Sequence, residues 1–180
     1  DGYGLRPNIG MRGSGSERSK KIALMEDGIL IAPAPYAAPA AYYFPLMAHM
    51  EAVEVSKGPV AIQYGPNTIG GAINLVTQAI PEKRTHLLDA TLGGDNLFKL
   101  RAFTGDSQPL HGWLVDAVKY RADGFKQLDN GGESGFDKND LLVKMRFNND
   151  LSSVRYQQWD LKFGYGDEVS YETYLGLSDD

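Results

Sequence analysis

The clearest pattern in the chain is an alternation of apolar and polar residues in its second half. It is strongest in two segments, whose apolar residues are Leu141, Val143, Met145 and Phe147 in one and Trp159, Leu161, Phe163 and Tyr165 in the other. A period of two is typical of a β-strand with one apolar and one polar face. Weaker copies occupy 88–92 and 98–102, and the run 113–121 loses its alternation around Val118. We therefore predict five strands from Thr85 onward, separated by turns.

The length of these segments matches a transmembrane β-strand, which needs roughly 9–11 residues. Alternation alone does not separate a membrane barrel from a soluble antiparallel sheet, because both bury one face. A polar face rich in Lys, Arg and Asp is compatible with the wet interior of a large barrel, and equally with solvent. At this level both interpretations remain open.

The first half of the chain has shorter apolar runs between Gly, Ala and Pro residues. Asp27-Gly28 lies between the apolar runs 22–25 and 29–31, which is the strongest short-range signal for a hairpin. Further elements are predicted as strands at 52–55 and 70–77, one helical turn at 46–50 and a short helix at 60–64 that follows Pro59. Residues 1–80 are thus predicted to form a small mixed α+β domain.

A proline-rich segment, 32–45, interrupts this domain. Its four prolines remove hydrogen-bond donors and fix the backbone, so no strand can run through it. We predict an ordered loop with an aromatic tip, and a plain Pro-rich linker is the alternative.

Composition excludes several functional classes. There are no cysteines, so neither a disulfide framework nor a thiolate metal site is predicted. The net charge is -5 and the basic residues are dispersed, which argues against a nucleic-acid surface. No apolar run reaches the roughly 18 residues of a membrane-spanning helix. The chain also has no initiator Met and no leader-like start.

Candidate chemistry is sparse. His49, His86 and His111 are far apart and fit no metal-ligand spacing. The acidic stretch 129–140 lacks the Gly and the Glu that a calcium loop requires at its sixth and twelfth positions. Because no nucleophile and base stand in a recognisable signature, we predict no catalytic residue, no metal site and no enzymatic activity.

Two groups of motifs resemble the signatures of the TonB-dependent receptor plug. The first group comprises RPNIGMRG at 6–13 and LMEDG at 24–28, and the second comprises VEVSKGP at 53–59, YGP at 64–66 and GGAINLVT at 70–77. Their order and spacing make the resemblance specific as far as residue 80, and it continues more loosely beyond. Within the family, the segment 31–45 is most similar to ferric dicitrate-type receptors.

The resemblance implies an α+β plug domain over 1–80, with its N-terminal part missing. At 81–180 it implies the first five to six N-terminal antiparallel strands of a transmembrane β-barrel, as a truncated 22-stranded barrel. The sixth strand is expected to begin at 171–177. The signal peptide, the TonB-binding box and the remaining barrel are expected to lie outside this sequence.

The function implied by the resemblance is that of an outer-membrane receptor and transporter. The cargo is an iron chelate, most similar to ferric citrate, taken up into the periplasm with energy from the TonB-ExbB-ExbD complex. That complex, the chelate and outer-membrane lipid are the expected partners, with no nucleic acid and no cofactor. The alternatives are a receptor of the same family for another siderophore or cobalamin, and a soluble β-rich binding module.

Ligand contacts are carried over from the plug loops that face the ligand in related receptors. These correspond to 14–21 and 33–43, where Arg18, Lys20 and Tyr36 are predicted to contact an anionic chelate. Arg and Lys donate charge-assisted hydrogen bonds to carboxylates, and Tyr offers a rigid amphipathic contact. For Arg18 and Lys20, simple solvated loop charges are the alternative.

Arg12 and Lys57 match positions at which the family sets basic plug residues against barrel glutamates. They are predicted to form the plug–barrel lock. The family often has Arg at the second position, and Lys57 lacks the bidentate fork that an Arg would provide.

A chain that enters the barrel from the periplasm gives each connection a side of the membrane. The stretches 93–96 and 123–137 are then outer loops, and 105–112 and 149–155 are inner turns. Long outer and short inner connections are the expected asymmetry, although 149–155 is slightly long for an inner turn.

Overall fold

The protein is described by a computed structural model that covers residues 5–31, 35, 37–40, 43–125 and 134–171. The chain divides into two compact units, Asp1–Gln78 and Ala79–Asp180. Each unit is built on a sheet of its own. Within the described ranges, every helix is too short or too polar to cross a membrane.

The first unit contains a four-stranded mixed sheet. Its strands are β1 (Ile22–Glu26), β2 (Ile29–Leu30), β3 (Met50–Ser56) and β4 (Gly71–Thr77), in the order β2-β1-β4-β3. β1 and β4 are parallel, and the other neighbours are antiparallel. Three 3-10 helices accompany the sheet, at Glu17–Ser19, Met47–His49 and Gly58–Tyr64. The strands and short helical segments predicted in this half are confirmed, and the helical segments are of the 3-10 type.

The core of this unit lies on both sides of β1 and β4. One side buries Ile22 and Leu24 against Phe44. The other side buries Ala23 and Met25. A central strand covered on both faces needs a continuous apolar run rather than alternation, which is why the segment 22–25 is apolar throughout.

The hairpin predicted at Asp27-Gly28 is present, and its tip is bonded to β4. Both residues have positive φ, 48° and 81°, as a two-residue type I′ turn requires. The backbone N and Oγ1 of Thr77 donate to the Asp27 carboxylate at 2.8 and 2.5 Å. The backbone N of Gly28 donates to Oδ1 of Asn74 at 2.8 Å. The turn is thus held by specific bonds to another strand.

The second unit is a five-stranded antiparallel sheet in chain order. Its strands are β5 (Thr85–Leu92), β6 (Phe98–Ser107), β7 (His111–Ala122), β8 (Phe136–Asn148) and β9 (Gln158–Ser170). The five strands predicted from the alternation are confirmed. The predicted start of a sixth strand at 171–177 falls outside the described residues, apart from Tyr171.

The predicted inner turn at 105–112 is wrong in its extent. β6 continues to Ser107 and β7 begins at His111, which leaves a turn of three residues. Gly105 and Gly112, at the two ends of the predicted turn, instead provide space: a Cβ on Gly105 would lie 2.7 Å from Cδ of Pro81, and one on Gly112 would lie 3.1 Å from Cγ2 of Ile80. The lack of a side chain at these two positions leaves room for residues 80–81, which precede β5.

Two other connections also differ from the predicted boundaries. β8 already begins at Phe136, so the predicted outer loop 123–137 ends earlier. The connection predicted at 149–155 runs over 149–157, since β9 begins at Gln158. The turn at 93–96 is present, with positive φ at Asp95 and Asn96.

Candidate functional site

One face of the five-stranded sheet, here called the outward face, carries an apolar band. The band consists of the outward residues at 88–92 on β5, 98–102 on β6, 113–117 on β7, 141–147 on β8 and 159–165 on β9. Large side chains are uncovered there, with Trp159 67% and Phe163 60% exposed. An apolar surface of this extent on a sheet indicates contact with a membrane or a partner.

The apolar band runs obliquely across the strands. Residues directly opposite each other in the ladder form rows, and the row through Ala90 and Leu100 lies at the centre of the band on β5 and β6. On the next three strands the same row consists of Lys119, Asn139 and Asp167. The row is therefore apolar at one side of the sheet and polar at the other.

The slope of the band can be obtained from this register. On β9 the row reaches Asp167, whereas the apolar band is centred between Leu161 and Phe163. The centre of the band is therefore displaced from the row by about five residues over the four strand spacings from β5 to β9. At about 3.3 Å per residue and about 4.8 Å per spacing, this displacement corresponds to an angle of about 40°. Strands of transmembrane barrels tilt by roughly 35–45° from the membrane normal. A band that is level with the membrane therefore slopes by the same angle relative to the rows of the sheet. A soluble sheet requires no such drift, and the slope favours the membrane interpretation.

The opposite, inward face contains a buried ion pair. Arg101 on β6 donates from Nε and Nη2 to the two carboxylate oxygens of Asp116 on β7, at 3.0 and 2.7 Å. The side chain of Asp116 is fully buried and that of Arg101 is 16% exposed. Such a bidentate pair supplies the hydrogen bonds that a carboxylate needs between the buried apolar residues Leu114 and Val118.

This pair explains why the alternation fails on β7. The inward positions Leu114 and Val118 are apolar, as are the outward positions Val115 and Ala117, and a single Asp116 lies among them. Its partner lies 15 residues earlier on another strand. Sequence reasoning missed the pair, because no local signal connects the two residues.

A second charged group lies on the inward face of β8 and β9. Nζ of Lys138 lies 2.9 Å from Oε2 of Glu168 and 4.0 Å from Oδ2 of Asp140, with the Lys side chain 4% exposed. A barrel wall around a wet interior typically has paired charges on its inward face and none in the central band of its outward face. The sheet has this distribution.

The predicted ligand residues Arg18 and Lys20 lie in an exposed loop that contains the 3-10 helix Glu17–Ser19. The backbone of this loop is fixed: the N of Arg18 donates to Oδ1 of Asn8 at 3.0 Å, and the φ of Arg18 is 50°. The ammonium of Lys20 is paired with Glu17, and this contact lowers the pKa of the Glu17 carboxyl below its ordinary value. The third predicted residue, Tyr36, lies outside the described residues.

The two residues predicted for the plug–barrel lock lie close to one another in the first unit. The guanidinium of Arg12 lies beside Gly58, with Nη1 3.7 Å from the position of a Cβ on that glycine. Gly58 follows Lys57 directly, and the side chains of Arg12 and Lys57 are both exposed. Two exposed cations in one region are able to contact acidic partners together.

Potential metal ligands are not clustered in the part of the chain that the structure describes. No group of three or more His, Asp or Glu side chains is close enough there to hold an ion.

Together the two units define the class: a small mixed domain followed by antiparallel strands with a slanted apolar outer face. Residues 1–72 match the TonB-dependent Receptor Plug Domain family. Among curated proteins, the Vitamin B12 transporter BtuB of Photobacterium profundum is 26% identical over 148 residues, which are 80% of this chain and 24% of the relative.

Solved structures of a transporter and of an uptake receptor share the fold. The ferric citrate transporter FecA in its unliganded form is 24% identical with a TM-score of 0.67, covering 90% of this chain and 25% of that one. The ferric yersiniabactin uptake receptor FyuA from Yersinia pestis is 20% identical with a TM-score of 0.70, covering 91% and 25%. At these identities the likeness establishes the fold alone.

Residues 1–72 therefore match a TonB-dependent receptor plug domain, and the antiparallel strands that follow have the fold of the solved transporter and receptor structures. It spans about a quarter of the length of these relatives. The predicted fold class and the predicted outer-membrane location are confirmed. The relatives are named as transporters and receptors rather than enzymes.

Proposed function

We propose that the full-length protein is a TonB-dependent outer-membrane receptor that moves an iron chelate into the periplasm. Uptake is driven by the TonB-ExbB-ExbD complex, and a ferric citrate-like chelate is the first candidate cargo. The observation that carries this proposal is the TonB-dependent receptor plug domain over 1–72, followed directly in sequence by strands with the fold of these receptors.

Arg18, Lys20 and Tyr36 are the proposed ligand contacts. The fixed backbone of the loop supports a role for Arg18, because a pre-organised donor loses less freedom on binding. Lys20 must share its charge with Glu17, so its contribution to an anionic chelate is smaller. Arg12 and Lys57 are proposed to lock the plug to acidic residues of the barrel.

A second candidate cargo is cobalamin. It is favoured by the Vitamin B12 transporter of Photobacterium profundum, which aligns over 148 residues at 26% identity. Another siderophore is the third candidate, as the solved ferric yersiniabactin receptor has the same fold.

Calorimetric titration of the purified full-length protein distinguishes these cargoes. Ferric citrate is expected to bind, with vitamin B12 and ferric yersiniabactin giving no heat. Arg18→Gln is expected to weaken ferric citrate about tenfold, the effect of losing one charge-assisted hydrogen bond. Lys83→Gln, an equally conservative change of an exposed lysine outside the proposed site, is the matched control. Binding of vitamin B12 in place of ferric citrate would transfer the proposal to the second cargo.

A further inference from the structure

The segment that leads into β5, residues 80–84, begins on the inward face of the second unit's own sheet. Two glycines form the floor beneath it, Gly105 on β6 and Gly112 on β7, both at inward positions of the ladder. A Cβ on Gly105 would lie 2.9 Å from Cγ of Pro81, and one on Gly112 would lie 3.1 Å from Cγ2 of Ile80. Both distances are shorter than nearly all Cβ contacts, so the floor fits this segment because it has no side chains.

Polar side chains hold the segment at its sides and at its far end. From β8, Nη2 of Arg146 lies 3.2 Å from the Cβ position of Gly112 and donates to Oγ of Ser107 at 2.5 Å. At the end of the segment, Nε and Nη2 of Arg84 each lie 3.2 Å from Oδ2 of Asp106. The residues that hold the segment are here called the linker seat: Gly105, Asp106, Ser107, Gly112 and Arg146.

The chain just before this segment is held by the first unit. Thr77 is the last residue of β4 in the ladder with β3. The backbone N of Gln78 donates to the carbonyl of His49, also in the first unit, at 2.8 Å. Ile80 is already in the linker seat, so the joint between the two units is confined to Ala79.

Leaving the linker seat would break several interactions at once. The side chain of Asp106 is 9% exposed and that of Arg84 is 70% exposed, so the carboxylate is the partner that depends on the pair. Separating a nearly buried carboxylate from its cation is unfavourable. Because Pro81 has a fixed φ, the segment also has little freedom to lift at one end while the other end stays in place.

We infer that residues 80–84 are an anchor that stays in the linker seat while cargo passes. The first unit then moves or changes shape about Ala79 and does not take this segment with it. The inference rests on the proposed function, since it concerns a transport cycle. The alternative is a tether that leaves the seat in each cycle, and such a tether would require no floor of glycines fitted to it.

The linker seat is tested by cross-linking in the full-length protein in outer-membrane vesicles. In a disulfide, each sulfur lies about 3 Å from the Cβ of the other residue. Ile80→Cys places a sulfur near the position of Cγ2, 3.1 Å from the Cβ that Gly112→Cys adds, and the 180 residues contain no other cysteine. Pro81→Cys with Gly105→Cys is a second pair, at 2.9 Å, for the case that the first variant does not reach the membrane.

The matched control combines Ala90→Cys with Gly112→Cys. Ala90 lies opposite Leu100, which is seven residues along β6 from Ser107, the partner of Gly112. After mild oxidation, mass spectrometry of tryptic peptides is expected to show at least tenfold more cross-linked protein for the first pair than for the control. Equal amounts in the two would overturn the linker seat.

The anchor is tested by uptake in cells with functional TonB, supplied separately with labelled ferric citrate and labelled vitamin B12. Rates are divided by those of the wild type under the same treatment. The oxidised and the dithiothreitol-reduced forms of the first pair are expected to agree within threefold. A larger loss on oxidation would overturn the anchor, because the segment would then have to leave the seat. Absence of TonB-dependent uptake in the wild type would instead overturn the proposed function, and this inference with it.

Discussion

The slope of the apolar band makes a quantitative prediction about two residues in the same row of the sheet. Leu100 and Asn139 both point outward and lie in one row of the ladder, two strands apart. In a sheet that stood upright in the membrane, the two positions would have the same depth. With strands tilted by about 40°, Leu100 lies at the centre of the band and Asn139 lies about halfway from the centre to its rim.

The depth of Asn139 follows from the register. Asn139 is two strand spacings from Leu100, or about 9.6 Å along the row at about 4.8 Å per spacing. Projected through a tilt of about 40°, this is about 6 Å of depth, which is about half the distance from the centre to the rim of an apolar band of about 25 Å. An arginine costs about 2–4 kcal/mol at the midplane and about 0–1 kcal/mol near the interface. Leu100→Arg is therefore expected to destabilise the protein by about 1–2 kcal/mol more than Asn139→Arg.

The assay is urea unfolding of the full-length protein folded into phospholipid vesicles, followed by tryptophan fluorescence. Leu100→Ala serves as the control, because it removes the leucine without adding a charge. After the Leu100→Ala effect is subtracted, equal costs for arginine at the two positions would refute the tilt. A larger cost at Asn139 would refute the assignment of the band itself.

Three further predictions concern individual contacts. Arg101→Met removes both hydrogen bonds from the guanidinium to the buried Asp116 carboxylate and is expected to cost about 3 kcal/mol in the same unfolding assay, while adding Asp116→Leu should restore most of this loss. Gly28→Ala places a Cβ on a residue with φ of 81° and is expected to cost about 1 kcal/mol, measured as a lower midpoint of thermal unfolding. Lys20→Gln should raise the pKa of Glu17 toward its ordinary value of 4.5, seen in a carboxyl ¹³C titration. Because that pKa is lowered in the folded protein, the stabilising contribution of the pair is present above about pH 4.5 and is lost as the pH falls through the lowered pKa.

The strands of the second unit were predictable because each carries its own signal. Alternation at 141–147 and 159–165 identifies both the strand and the face that points outward, without knowledge of the neighbours. The tilt was not predictable in the same way. It depends on which residues lie opposite each other, and a shift of the register by two residues would leave every local pattern unchanged.

Residues with long-range roles were the ones misinterpreted. The sequence places Gly105 and Gly112 in a predicted inner turn, whereas in the structure they make room for Pro81 and Ile80. The ion pair of the buried Asp116 could not be predicted for a related reason, because its partner Arg101 lies on the preceding strand. The local sequence indicates which conformation a residue favours. Its role in the structure also depends on which residues from other strands lie beside it.

The candidate ligand site came from resemblance rather than from the pattern of residues. Arg18 and Lys20 are charged loop residues, and nothing in their local sequence distinguishes a ligand contact from a solvated charge. The pair of Lys20 with Glu17 was visible in the sequence at a spacing of three residues, and it changes what Lys20 can offer to an anion. Backbone constraint at Arg18 required the structure, since Asn8 lies ten residues away.

Uptake of radioactive iron by whole cells tests the central claim most directly. Cells that express the full-length gene in a strain lacking its own ferric citrate receptor are supplied with labelled ferric citrate, with and without a functional TonB. We expect accumulation that requires both the gene and TonB, and that is lost in cells lacking either one. Accumulation that persists without TonB, or cells that take up labelled vitamin B12 and no ferric citrate, would contradict the proposed function.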